Sequence, residues 1–112
     1  MIKLTVLVKR NRALSIEDFH EAWRAHGRMI AEEPAFRPFI KRYEQHHRVA
    51  ADYRTGDTHD GMALQWYDSY EDFIALLDTP EYATKMQPDE TRILDPSGMV
   101  VLFTEEAEVF IS

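Results

Sequence analysis

"IKLTVLVKRNRALSIEDFHEAWRAHG", residues 2–27, holds a strand, a loop and most of a helix, and the two apolar patterns within it decide the fold. Residues 2–9 are short and rich in Val, Ile, Leu and Thr, which predicts a strand buried on at least one side. Ile2, Leu4, Val6 and Val8 point one way, Thr5 and Leu7 the other, so neither face is plainly a solvent face. After the loop "NRAL", Ser15 can accept from the amide of Asp18 and Asp18 can reach back, a capping box. The helix it opens is expected to run to about Glu33, stopped before Pro34. At about 100° per residue, Phe19, Trp23, His26 and Ile30 fall within a sector of about 60°, the stripe that faces a sheet. His20 and Arg24 point elsewhere.

Working outward, "FRPFIKRYEQHHRVA" (36–50) reads as a second strand with Pro38 near its start, where a missing donor does least harm. "ADYRTGDT" (51–58) is a hairpin connection and "HDGMALQWYD" (59–68) a third strand. Ser69 with Asp72 caps a second helix, "YEDFIALLD", whose Phe73, Leu76 and Leu77 share a face. Thr79 and Pro80 start a further short helix by the N-cap and N1-proline rule. "DPSG" (95–98) is a turn, and "MVVLFTEEAEVFI" (99–111) a last strand. The order β-α-β-β-α-β is that of a ferredoxin-like α+β sandwich, here a single domain over 1–112. Helices cover only one face of such a sheet. The apolar residues on both sides of the first and last strands therefore predict a second sheet against the open face, supplied by a homodimer that closes a barrel.

Composition excludes more than it names. The net charge of −7 and the absence of any basic block argue against nucleic acid or an anionic membrane surface as partner. Without cysteine there is no disulfide framework, thiolate metal site or Cys nucleophile, which fits a reducing cytoplasm. No stretch approaches the roughly 20 apolar residues of a membrane span, and the first residues do not have a signal-peptide pattern. Glycine-rich phosphate loops, nucleophile elbows and dinucleotide fingerprints are missing, so no cofactor is expected. His46, His47 and His59 lack helical ligand spacing and the adjacent pair points to opposite faces, so no metal is expected either.

His26 on an apolar stripe reads in two ways: a core histidine bonded to a carbonyl, or a general acid or base lining a cleft between helix and sheet. Gly27 beside it costs about 1 kcal/mol relative to Ala, which close approach of another group would explain. Tyr43, Gln45 and His47 alternate onto one face of the second strand, with Glu44 and His46 on the other. Asp60 and Trp66 share a face of the third strand, and the hairpin register decides which residues they meet.

Several stretches together resemble the EthD domain family. The opening segment quoted above is similar to that family's strand and "F-xxW-xxxH" type helix, "YEQHHRV" to its Tyr and His strand, "DGMALQWYDSYEDF" to its Asp-Gly strand and helix, and "DETRILDPSGMVVLFTEE" to its closing segment. The resemblance implies a ferredoxin-like protomer in a dimeric α/β barrel with a small-molecule cleft. That superfamily includes cofactor-free cyclases, decarboxylases, dehydratases, isomerases and monooxygenases. On the family pattern His26 matches the helix histidine, Tyr43 and His47 the strand pair, and Asp60 the Asp of the Asp-Gly step. The chain departs from it in "GRMI" after His26, where Arg28 would place a cation near the mouth.

The expected function is a cofactor-free lyase, cyclase or isomerase acting on an apolar oxygenated small molecule such as an aromatic polyketide, a lactone or a β-oxo compound. His26 would move a proton next to a carbonyl, Tyr43 and His47 would donate to the enolate oxygen, and Asp60 would orient an imidazole. Phe19, Trp23, Ile30, Gln45 and Trp66 would contact the substrate. A cofactor-independent monooxygenase and a non-catalytic binding protein are the rival expectations.

Overall fold

The computed structural model describes residues 1–112. Its strands are β1 (Ile2–Val8), β2 (Arg42–His47), β3 (Gly61–Tyr67) and β4 (Val100–Thr104), and its helices α1 (Ile16–Glu32), α2 (Tyr70–Leu77) and α3 (Gln87–Ile93). The strands form one antiparallel sheet in the order β2-β3-β1-β4. β1 is central because it is apolar on both sides, pairing with β3 from Ile2↔Tyr67 to Val8↔Gly61 and with β4 from Lys3↔Thr104 to Leu7↔Val100. This is the ferredoxin-like arrangement expected from the order of elements.

Both expected N-caps form: Ser15 Oγ accepts from Asp18 N at 3.1 Å and Ser69 Oγ from Asp72 N at 3.2 Å. Asp18 makes no return bond, so the first box is half a box. Thr79 Oγ1 accepts from Tyr82 N at 3.2 Å and caps the third helical segment, which is longer than expected: it passes through a widened π turn (Tyr82–Met86) into α3.

Three boundaries differ from the sequence reading. Residues 36–40 are a turn, not strand: Ile40 N bonds Phe36 O at 2.9 Å, a helical four-residue closure that an extended strand cannot make, and both side chains enter the core. The connection at 51–58 carries a short 3₁₀ turn (Ala50–Thr55) ended by Gly56 at φ 139°, a backbone only glycine adopts readily. β4 stops at Thr104, opposite Lys3, because β1 offers little beyond that register; Val109, Phe110 and Ile111 lie exposed outside the sheet.

The register sorts the faces. Leu4, Val6, Val8, Tyr43, Gln45, His47, Ala63, Gln65 and Tyr67 face the helices. Phe19, Trp23, His26 and Ile30 are the buried residues of α1, as the periodicity required. The three apolar ones pack in two clusters: Ile30 with Leu4, Phe36, Tyr67, Leu76 and Met86, and Phe19 and Trp23 with Val8, Ala63 and Ile93. The opposite face has no helix on it and carries Leu7, Met62, Leu64, Trp66, Val100 and Leu102, the last two 51% and 60% exposed. No helix is long and apolar enough to cross a membrane.

Candidate active site

Between the sheet, α1 and the α2–α3 segment lies a cavity of about 160 Å³. Fifteen of its 18 lining residues are hydrophobic, so its polar groups are few and identifiable: His26, Gln65 and Glu90, with the hydroxyls of Tyr43, Tyr67 and Tyr82. Trp23 forms part of the wall.

His26 is placed on the wall by the helical period and turned by a residue from the far side of the cleft. Its Nδ1 donates to Asp89 Oδ2 at 3.0 Å, and Nε2 makes no hydrogen bond within the chain. Burial pushes the Asp89 carboxyl up, but the bonds from His26 and Arg92 outweigh it and leave Asp89 below the usual range. The pair is thus an imidazole with one nitrogen fixed by a carboxylate and the other unoccupied.

Tyr43 also lines the cavity, on the strand across from α1. Its hydroxyl accepts from Gln45 Nε2 at 3.1 Å and no acceptor in the chain takes its proton. Desolvation, against the opposing bond from Gln45, pushes it up to about 12. At neutral pH it is therefore a protonated donor. Glu90 sits beside Asp89 in sequence but in the apolar cavity, where burial raises its carboxyl, the bond from Tyr82 at 3.4 Å opposes and the charge of Asp89 adds to the rise. Two neighbouring carboxyls are thereby driven apart, the separation that acid–base sites use. Tyr67 donates a short bond to Gln65 Oε1.

The other expected residues lie off the cavity. Phe19 is fully buried beneath Trp23, stacked at 5.6 Å between centroids. Ile30 belongs to the core behind it. Trp66 is on the helix-free face, under the cations of Lys3 and Arg42, because its partners in the register are those two residues. Gln45 is one step removed: Nε2 donates to Trp23 O at 2.7 Å as well as to Tyr43. This explains Gly27, since a Cβ there would stand 2.7 Å from Gln45 Nε2. Asp60 touches no imidazole. It is fully buried just before β3 and accepts from Arg10 N (2.8 Å), Arg10 Nη1 (3.0 Å) and the Tyr53 hydroxyl (2.7 Å). Arg28 is exposed and does not line the cavity.

His47 packs on the outer side of Trp23, centroids 4.5 Å apart, and opens onto a second groove between α1 and the Ala50–Thr55 turn. There its Nδ1 meets His20 Nδ1 at 2.7 Å, and its Nε2 meets Gln45 Oε1 at 2.9 Å. His20 lies off the core stripe, and the helical pattern alone gives it no role. The sequence reading also missed Asp89 and Glu90, because "QPDE" follows a π turn whose phase no helical period carries across. α3 follows directly on that turn, with Glu90 on the cavity wall and Asp89 bonded to His26.

The chain is thus a ferredoxin-like protomer with an apolar cleft lined by His26 and Tyr43. It belongs to the EthD domain family, whose model matches residues 11–97. None of the curated protein sequences matches the chain. Among solved structures it is similar to a dimeric protein of unknown function and ferredoxin-like fold from Bacteroides fragilis (16% identity, 94% of this chain and 95% of that one, TM-score 0.70). It is similar as well to At3g17210 from Arabidopsis thaliana (13% identity, 99% and 100% covered, TM-score 0.68). A third is SnoaB from Streptomyces nogalater, a cofactor-independent oxygenase (8% identity, 99% and 97% covered, TM-score 0.65). At such identities the likeness speaks for the fold.

Proposed function

We propose that the chain is a cofactor-free acid–base enzyme that enolises a compact, apolar, carbonyl-bearing molecule, as a lyase, cyclase or isomerase does. The observation that carries this reading is the His26–Asp89 pair, with Nε2 unoccupied on the wall of an apolar cavity that also holds the free proton of Tyr43. Nε2 takes a proton from the carbon next to the carbonyl, Asp89 holds the resulting imidazolium, and Tyr43 donates to the oxygen on which negative charge develops. The apolar wall strengthens both interactions by excluding water. A cavity of about 160 Å³ is close to one that takes up a single benzene ring, which favours a monocyclic lactone or β-oxo compound over a fused polyketide.

The test is turnover of small cyclic β-oxo compounds and lactones in deuterium oxide, with deuterium appearing next to the carbonyl. His26→Ala should reduce that exchange about a hundredfold with the fold intact. Unchanged exchange would remove His26 from its role, and ligand recovered unlabelled and unchanged would make this a binding protein. A second reading shares the first step, the carbanion then reacting with dioxygen. The likeness in fold to SnoaB supports it. Oxygen consumed in proportion to substrate separates the two.

A homodimer belongs to the same proposal. The helix-free face exposes Val100 and Leu102 beside Met62, an apolar area that a second sheet would cover. The similar protein from Bacteroides fragilis is described as dimeric. A monomeric mass by light scattering at micromolar concentration would refute the dimer.

A further inference from the structure

Tyr53, His20 and His47 form a single file between Asp60 and Gln45. The contacts run from Asp60 Oδ1 to the Tyr53 hydroxyl (2.7 Å), from Tyr53 to His20 Nε2 (3.0 Å), from His20 Nδ1 to His47 Nδ1 (2.7 Å), and from His47 Nε2 to Gln45 Oε1 (2.9 Å). Each contact needs one proton between its two heavy atoms. Asp60 has none to give, being filled by Arg10 and Tyr53. Gln45 has none to give either, because its Nε2 faces Trp23 O and the Tyr43 hydroxyl. Tyr53 supplies one proton and each neutral imidazole one more, so four contacts are served by three protons.

The ends fix where the shortage falls. Tyr53 donates to Asp60, so His20 Nε2–H must donate to Tyr53, and His47 Nε2–H must donate to Gln45. What remains is the contact between the two Nδ1 atoms, which places two lone pairs 2.7 Å apart unless a further proton lies between them.

We propose that His20 and His47 bind one proton between their Nδ1 atoms and that this shared proton positions Tyr43 through Gln45. With the proton present, His47 holds the Gln45 carbonyl and Gln45 turns its amide to Tyr43, leaving the Tyr43 proton for the cavity. Without it the lone pairs repel, His47 turns away, and Gln45 is no longer tied. His47 thereby acts as a positioning residue, not as a group that meets substrate.

The surroundings limit the pair to one proton. Glu17, Glu21 and Arg24 of α1 face the groove, as do Arg48 and Tyr53, with Asp60 and Arg10 behind. Burial opposes charge on both rings most strongly. On His20 the charge of Asp60 favours the proton while Arg24 and Arg10 oppose it; on His47 Arg24 and His20 itself oppose it. A second proton would meet the full repulsion of the first. Protonation of the pair stands apart from the reading of the cavity; only its effect on turnover rests on the role of Tyr43 there.

The test is long-range proton–nitrogen correlation of protein labelled at its histidine ring nitrogens, from about pH 8 to about pH 4. His20 and His47 should move together with one midpoint and one proton taken up, and the side-chain amide of Gln45 should move with them. Tyr53→Phe gives the sharper result. It removes the hydroxyl that fixes the His20 tautomer, so His20 can donate from Nδ1 to His47, and the two remaining contacts are then served by two protons. The joint midpoint should fall by about one pH unit or more, with Gln45 staying tied to higher pH. Should that variant fail to fold, His20→Asn should abolish the joint step altogether. Independent midpoints in the wild type, or a midpoint unmoved or raised by Tyr53→Phe, would overturn the proposal.

Discussion

His20 and His26 stand six residues apart on α1, on either side of Trp23, and they are used in opposite ways. His26 lines an apolar cavity with one nitrogen bound to Asp89 and the other without a partner in the chain. His20 has both nitrogens engaged, one by Tyr53 and one by His47. A nitrogen without a partner can act on a ligand; a saturated imidazole can only hold other groups in place. The two ends of the cleft therefore divide the labour, and they meet at Gln45, which touches Tyr43 on one side and His47 on the other.

The largest effects should separate those ends. Asp60→Ala removes the acceptor of Arg10 N, Arg10 Nη1 and Tyr53 from a fully buried site. A loss of about 3 kcal/mol or more in unfolding free energy is expected, read by denaturant melts. The same region has an acid limb. The bond from Arg10 first, against burial and with help from Arg12, holds Asp57 well below the usual carboxylate range. Its contribution is therefore complete above about pH 4, the ordinary unfolded value, and is lost as pH falls from there toward the folded one. His26→Ala is the contrasting change. A hundredfold loss of exchange corresponds to about 2.7 kcal/mol of transition-state stabilisation, with a melting temperature close to the wild type. If Asp60→Ala left stability unchanged, or His26→Ala unfolded the chain, the division between the ends would fail.

How much of this was legible in the sequence follows the range of the interactions involved. The period of α1 put Phe19, Trp23, His26 and Ile30 on the sheet side, and alternation put Tyr43, Gln45 and His47 on one face, because both depend only on residues a turn or a pleat apart. What those residues meet depends on register and on loops. Trp66 pairs with Arg42 and Lys3, so it faces away from the cleft. Asp60 precedes β3 and turns to Arg10, and it is Asp89, 63 residues beyond His26, that orients the imidazole. The family resemblance supplied the fold and the histidine, but a strand pair of Tyr and His does not say that the His lies behind Trp23.

Gly61→Ala comes next in size. A Cβ at Gly61 would stand 2.5 Å from His46 O and 2.7 Å from the Trp23 ring, one a backbone atom and the other a wall of the cavity, so neither yields cheaply. About 1–3 kcal/mol of destabilisation is expected, and calorimetry should show it together with a shift of the Trp23 ring signals. A wild-type melting temperature would mean that β2 and β3 are looser at this point than their register implies.

The smallest effect on stability should come from Gly27→Ala, and it bears most directly on how the ends are joined. Alanine gains about 1 kcal/mol in a helix interior over glycine. Against this, the new Cβ would lie 2.7 Å from Gln45 Nε2 and 3.4 Å from the Tyr43 ring. The Gln45 amide is the end of a flexible side chain and can swing aside, but only by breaking its bonds to Trp23 O and Tyr43, worth about 1 kcal/mol each. The two losses exceed the gain by about 1 kcal/mol, so the melting temperature should fall by a few degrees. The site should change more than the fold does: Tyr43 loses its donor, and the side-chain amide of Gln45 should no longer follow the titration of His20 and His47. A Gly27→Ala protein in which that amide still tracked the pair would show that Gln45 is not the link between them.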